Sequence, residues 1–173
     1  MLDVQIRIAA TERRYSEAEQ AQLGDLFGKP DRWSQTLRGL LWTQVTAVVG
    51  PFRGATTGEL LVPCTYDFEV AASKYLAGLR EGEIPLELLF SGSVFYAAAN
   101  GALQISRISW NAEARHRLPV AVWRQTIDRH FPDSAWLRVG RQTFDRLAAY
   151  RAAGALTSWD AVLEALLADR AQP

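Results

Sequence analysis

Few side chains in this sequence have the types and spacing that chemistry requires. The single cysteine, Cys64, lies in VPCTYDFEV beside Asp67 and Glu69. A nucleophilic thiol needs access to substrate and a neighbour that acidifies it, most often a histidine. Only His116 and His130 are present. His116 sits in the polar run EARHRL, and His130 ends a segment of helical period, where a cation meets the last carbonyls. Cys64 alternates with Val62, Tyr66 and Phe68, apolar company that raises a thiol pKa, so it reads as a structural cysteine. Asp67 and Glu69 fall two apart on the other side of the same pattern. That spacing suits an acid–base pair and equally a solvated sheet face. Ser91-Gly92-Ser93 lies within a strand pattern rather than at a strand-to-helix turn, so it reads as a kink. The phosphate-loop patterns GxGxxG and GxxxxGK[ST] are absent, as is HExxH. One cysteine excludes a disulfide framework and multi-cysteine zinc sites, and no third ligand stands in register with the histidines. The expectation is a non-enzymatic protein with no catalytic residues, cofactor or metal; a Cys64-dependent enzyme is the minor alternative.

The elements that would position these residues belong to an ordinary globular chain. Of 173 residues, 49% are hydrophobic and 22% charged, enough to bury one core, so a single domain over 1–173 is expected. Nineteen basic residues balance nineteen acidic ones, which argues against nucleic acid as a partner. The start, MLDVQIRIAATERR, lacks the basic and apolar regions of a signal peptide, and no apolar run reaches the ~20 residues of a membrane span. A cytoplasmic protein is expected.

Hydrophobic period divides the chain at about residue 110. Leu2, Val4, Ile6 and Ile8 alternate as a half-buried strand. Ser16 and Glu19 form a capping box for a helix over 16–27, with Gly28 and Pro30 as its stop. Residues 39–50 read as a strand rich in β-branched types. A further strand is expected over 60–70 by alternation, despite Pro63, while 71–79 is open between strand and helix. IPLELLFSGSVFY is a strand bent at Gly92, and Asn100-Gly101 turns it into a hairpin with LQISRISW. From residue 111 a helical part is expected, with helices from Pro119 to Phe131, over RQTFDRLAAYRAA, and from a Thr157–Asp160 capping box. The fold class is α+β: an antiparallel β-sheet with an inserted N-terminal helix and two to three C-terminal helices packed against it.

Large apolar residues off the core face are candidate binding residues. Trp123 and Trp159, on apolar helix faces, are expected in the core, with Trp110 and Trp136 sealing the sheet–helix junction. Trp42 shares its strand face with Gln44, Thr46 and Val48, and Leu61, Leu89 and Phe95 also fall on outer faces. An apolar patch with a polar rim is a partner-binding signal. The candidate client-binding residues are therefore Trp42, Val48, Leu61, Leu89 and Phe95.

VPCTYDFEVAASKY, GEIPLELLFSGSVFY and RLPVAVW, followed by HFP and AWLRV, resemble a bacterial domain-of-unknown-function family encoded near [NiFe]-hydrogenase genes. That resemblance implies a hydrogenase-related partner and one or two further strands ahead of VQIRI. Tyr66-Asp67-Phe68-Glu69-Val70, Gly92-Ser93-Val94-Phe95, Phe131-Pro132 and Phe144-Asp145-Arg146-Leu147 with Tyr150 resemble, more remotely, the SecB export chaperone. This second resemblance implies a homo-oligomer assembled through a sheet edge that binds unfolded protein clients without a cofactor. A structural adaptor binding one folded partner is the alternative.

Overall fold

The computed structural model describes residues 1–171 except Tyr66, Phe68, Glu69, Asp133, Ala135 and Trp136, and it leaves the side chains of Arg170 and Ala171 undescribed. The chain forms two compact units, Met1–Trp136 and Leu137–Pro173. The first has an α+β architecture built on a five-stranded antiparallel sheet. Its strands are β1 (Leu2–Ile8), β2 (Leu40–Ala47), β3 (Glu83–Ala97), β4 (Leu103–Arg107) and β5 (Glu113–Pro119). Helices α1 (Glu17–Phe27), α2 (Trp33–Thr36), α3 (Ala71–Gly78) and α4 (Val120–His130) complete it.

The alternation of β1 sets the interior. Val4, Ile6 and Ile8 are buried, while Asp3, Gln5 and Arg7 take the other face. β1 pairs with β2 on one edge and β3 on the other, so Val4 meets Val45 and Phe90, and Ile6 meets Thr43 and Leu88. The ladder slips between Ile6 and Arg7, leaving Trp42 as the extra residue of a β-bulge. The bulge breaks the expected face of Trp42, Gln44, Thr46 and Val48, and Trp42 packs against the core instead.

Two segments depart from the sequence expectation. Residues 60–65 make no strand; Pro63 has no N–H to give a ladder. Their alternation survives as a facing pattern, with Leu60, Val62 and Cys64 against the core and Leu61 84% exposed. The expected partners of Cys64 and Asp67 in that segment, Tyr66, Phe68 and Glu69, lie outside the described residues. Residues 113–119 form β5 rather than the start of a helical part. Their polar letters concealed a register: Ala114 and Leu118 meet Leu88 and Ile84, and Arg115 meets Glu87. Opposite charges across the strands stabilise such a pairing.

β3 organises the sheet. It pairs with β1 over residues 86–92, and on its other edge with β5 over 83–89 and β4 over 93–97. At the changeover Gly92 has φ 134°, and a Cβ there would overlap the Met1 carbonyl oxygen. Gly92→Ala combines a backbone clash with a conformation closed to L-residues. It is expected to cost roughly 2–3 kcal/mol in urea unfolding, whereas Gly101→Ala, in the open turn, should cost less.

The helices close the core over one face of the sheet. Ser16 caps α1 in a reciprocal box with Glu19, as the sequence indicated. Leu23 and Phe27 of α1, Ala72, Tyr75 and Leu76 of α3, and Val120, Trp123 and Ile127 of α4 join Val4, Ile6 and Ile8 in one cluster. Trp123 is thus the core residue its spacing indicated, while Trp110 is 93% exposed and seals nothing. Trp136 lies outside the described residues.

The second unit is a helical hairpin, α5 (Arg141–Ala153) and α6 (Trp159–Ala171). Ser158 caps α6 by accepting from the Ala161 N–H at 3.1 Å, one residue after the expected Thr157. The Phe144 and Trp159 rings stand 5.3 Å apart, and the Arg151 guanidinium lies 5.1 Å over Trp159 while bonding the Leu156 and Thr157 carbonyls. Trp159, expected in the core, is therefore partly exposed, as are Leu163 and Leu166; among the described residues of α6, Val162 is the fully buried one.

Candidate functional site

Two of the residues weighed for chemistry, Cys64 and His130, come together in one place. Val62, Cys64, Thr126, Ile127, His130 and Phe131 line a cleft of about 430 Å³. α4 brings His130 there from its last turn, and the facing pattern of 62–64 brings Cys64. The Cys64 thiol donates to the Val62 carbonyl at 3.7 Å rather than to the imidazole. Burial pushes that thiol up from its ordinary value, opposite to the shift a nucleophile needs. Cys64 is half-buried rather than fully interior, yet its proton is held tightly. Iodoacetamide at pH 8 should therefore label Cys64 at least tenfold more slowly in the folded protein than in urea. Equal rates would show an activated thiolate. His116 stands apart from this cleft on exposed β5, opposite Leu86.

A polar network lies beneath the surface at the start of α1. The Arg13 guanidinium meets Glu19 at 2.9 Å, with both side chains nearly inaccessible. Arg13 also donates to the carbonyls of Glu81 and Glu83, and the Arg80 N–H donates to Glu19. Burial pushes the Glu19 carboxyl up, but the N–H groups of Arg80 and Ser16 and the Arg13 charge outweigh it and hold it below the ordinary range. Nearby, the Tyr15 hydroxyl bonds the Ala10 carbonyl and the Tyr75 hydroxyl. Every partner here belongs to the fold, so the network ties residues 10–19 to the turn at 79–83.

The exposed apolar residues make a different kind of site. Beyond Gly92, β3 and β4 continue as a two-stranded arm, turned at Asn100-Gly101 with Gly101 at φ 80°. Along one side of it Phe95 pairs with Ile105 and Ala97 with Leu103. Phe95 is 54% exposed, Ile105 61% and Leu103 73%. Val94 and Tyr96, on the opposite side, are also exposed. A hairpin with so much apolar surface is marginal alone in water and gains from a cover.

The five candidate binding residues separate. Phe95 is on the arm, and Val48, strongly exposed, follows Ala47 at the same end of the sheet, since Ala47 and Gly92 both pair with Leu2. Leu61 is exposed on the irregular segment. Trp42 is held in the bulge against the core. Leu89 is half-buried, between Gln5 and Glu113 on a polar face crossed by the Arg115–Glu87 pair. Leu103 and Ile105 escaped the sequence reading, which placed Trp110 at the sheet–helix junction instead. The Asn-Gly turn between two apolar alternations was the signal that places the first two beside Phe95.

The model of a protein family described as a family of unknown function matches residues 1–173. No curated protein and no solved structure matches the chain.

Proposed function

The chain belongs to that family of unknown function, DUF6084, and we propose that it is a non-enzymatic, chaperone-like accessory protein that holds an apolar segment of a protein client. The observation that carries this reading is the arm, whose side with Phe95, Ala97, Leu103 and Ile105 is open to solvent. Contact with an extended client across such a side requires burial of apolar area and no reacting group. Val48 and Leu61 supply further exposed apolar surface. A hydrogenase subunit is the client that the gene neighbourhood of the resembling family suggests, and the SecB resemblance agrees with an unfolded one.

The experiment is aggregation of reduced α-lactalbumin followed by light scattering. Scattering is expected to fall by at least half near a one-to-one ratio. No protection at tenfold excess, for this client or a hydrogenase large subunit, rejects the reading. Recovery of one folded partner in stoichiometric amount favours the adaptor instead.

A further inference from the structure

The outer edges of β2, β4 and β5 are not alike. β2 carries the bulge at Trp42, and β5 carries Glu113, Arg115, Arg117 and Pro119. Bulges, charges and proline are the usual means by which edges are kept from pairing with other chains. β4, LQISR, has none of them except Arg107 at its end.

Its outward hydrogen-bonding groups are also in phase and, among the described residues, free. The Ala98 N–H donates to the Ala102 carbonyl and the Ile108 N–H to the Gly92 carbonyl. Bonded pairs recur at every second residue of an antiparallel ladder. Gln104 and Ser106 therefore bond β3, and Leu103, Ile105 and Arg107 point their N–H and C=O groups outward.

We infer that the outer edge of β4 pairs antiparallel with β4 of a second copy, about a twofold axis at Ile105. Leu103 of each copy then lies opposite Arg107 of the other, and all six outward residues exchange backbone bonds. The two guanidinium groups fall at opposite ends of the seam, and no other charge lies in residues 93–111, so the copies do not repel. Edge pairing joins the arms into one four-stranded ribbon and leaves its sides open. The dimer is thus independent of the client reading.

Sedimentation equilibrium of the whole chain tests it with Ile105→Pro. Because the Ile105 N–H points away from β3, proline there deletes no bond within the chain. Wild type should be a dimer at 20 μM, and Ile105→Pro should dissociate at least tenfold more readily with unchanged circular dichroism. Should proline disturb the arm, Ile105→Cys in a Cys64→Ala background decides. Partners in a bonded pair stand about 5.5 Å apart, within disulfide reach, so air oxidation should give a covalent dimer, and Gln104→Cys much less. A monomeric wild type overturns the inference. So does a dimer that neither weakens with proline nor crosslinks through Ile105→Cys. An arm covered only by added unfolded client, on a monomer, overturns it too.

Discussion

Glu19→Ala is expected to be the most destabilising single change outside the apolar core, at about 3–5 kcal/mol in urea unfolding. Removal of the carboxylate leaves the Arg13 guanidinium buried with no anion beside it, only carbonyl groups and the Tyr15 ring, and it strips acceptors from the N–H groups of Ser16 and Arg80. Both the start of α1 and the turn before β3 then lose their tie. Because Arg13 and Glu19 act through each other, the double change Arg13→Ala/Glu19→Ala should cost less than the sum of the singles. The pair also sets an acid limit. The folded Glu19 carboxyl is held below its ordinary value, so its contribution is complete above the unfolded glutamate value of about 4.3. It is lost as pH falls from there through the lower folded value. Wild type should lose stability over that acid range more steeply than Glu19→Gln, which has no carboxyl at that position. Parallel acid profiles for the two proteins would show that Glu19 contributes nothing through its charge.

The second large effect concerns binding rather than stability. Phe95→Ser combined with Leu103→Ser removes two of the exposed apolar side chains from one side of the arm. Each large apolar side chain buried by a client contributes on the order of 1.5–3 kcal/mol, so affinity for reduced α-lactalbumin should drop at least thirtyfold. Both positions are already wet, so thermal unfolding should move by no more than a few degrees. Trp42→Ser gives the contrast: held in the bulge against the core, it should lower stability by several kcal/mol. Affinity measured well below its melting point should stay the same. If Phe95→Ser/Leu103→Ser bound client as wild type does, the arm would not be the binding surface.

Much of the fold was legible because period marks faces. The alternation of β1, the capping box at Ser16 and Glu19, and the spacing of Val120, Trp123 and Ile127 all led to the elements observed. β5 was hidden because EARHRLP has little apolar alternation; its register depends on charges carried by β3. Residues 60–65 kept the two-residue period without a ladder, since alternation sets which side chains point inward and not whether backbones pair. Ala71–Gly78 became a helix whose Tyr75 and Leu76 are buried in the core, a packing choice its alanines alone left open. The candidate site was less legible for a related reason. Alternation assigns Phe95 and Leu89 to faces but cannot say what lies over each face. A single bulge moved Trp42 to the core, and the length of β3 beyond Gly92 carried Phe95 out into solvent.

Photocrosslinking tests the central claim most directly. A benzophenone amino acid placed at Phe95, at Ile105 and, as a control on the polar side of β5, at Arg117 would be irradiated with reduced α-lactalbumin. Client adducts at Phe95 and Ile105 and none above background at Arg117 are predicted. Adducts at Arg117 alone, or none from the arm, would contradict the assignment of the arm as the client-binding surface.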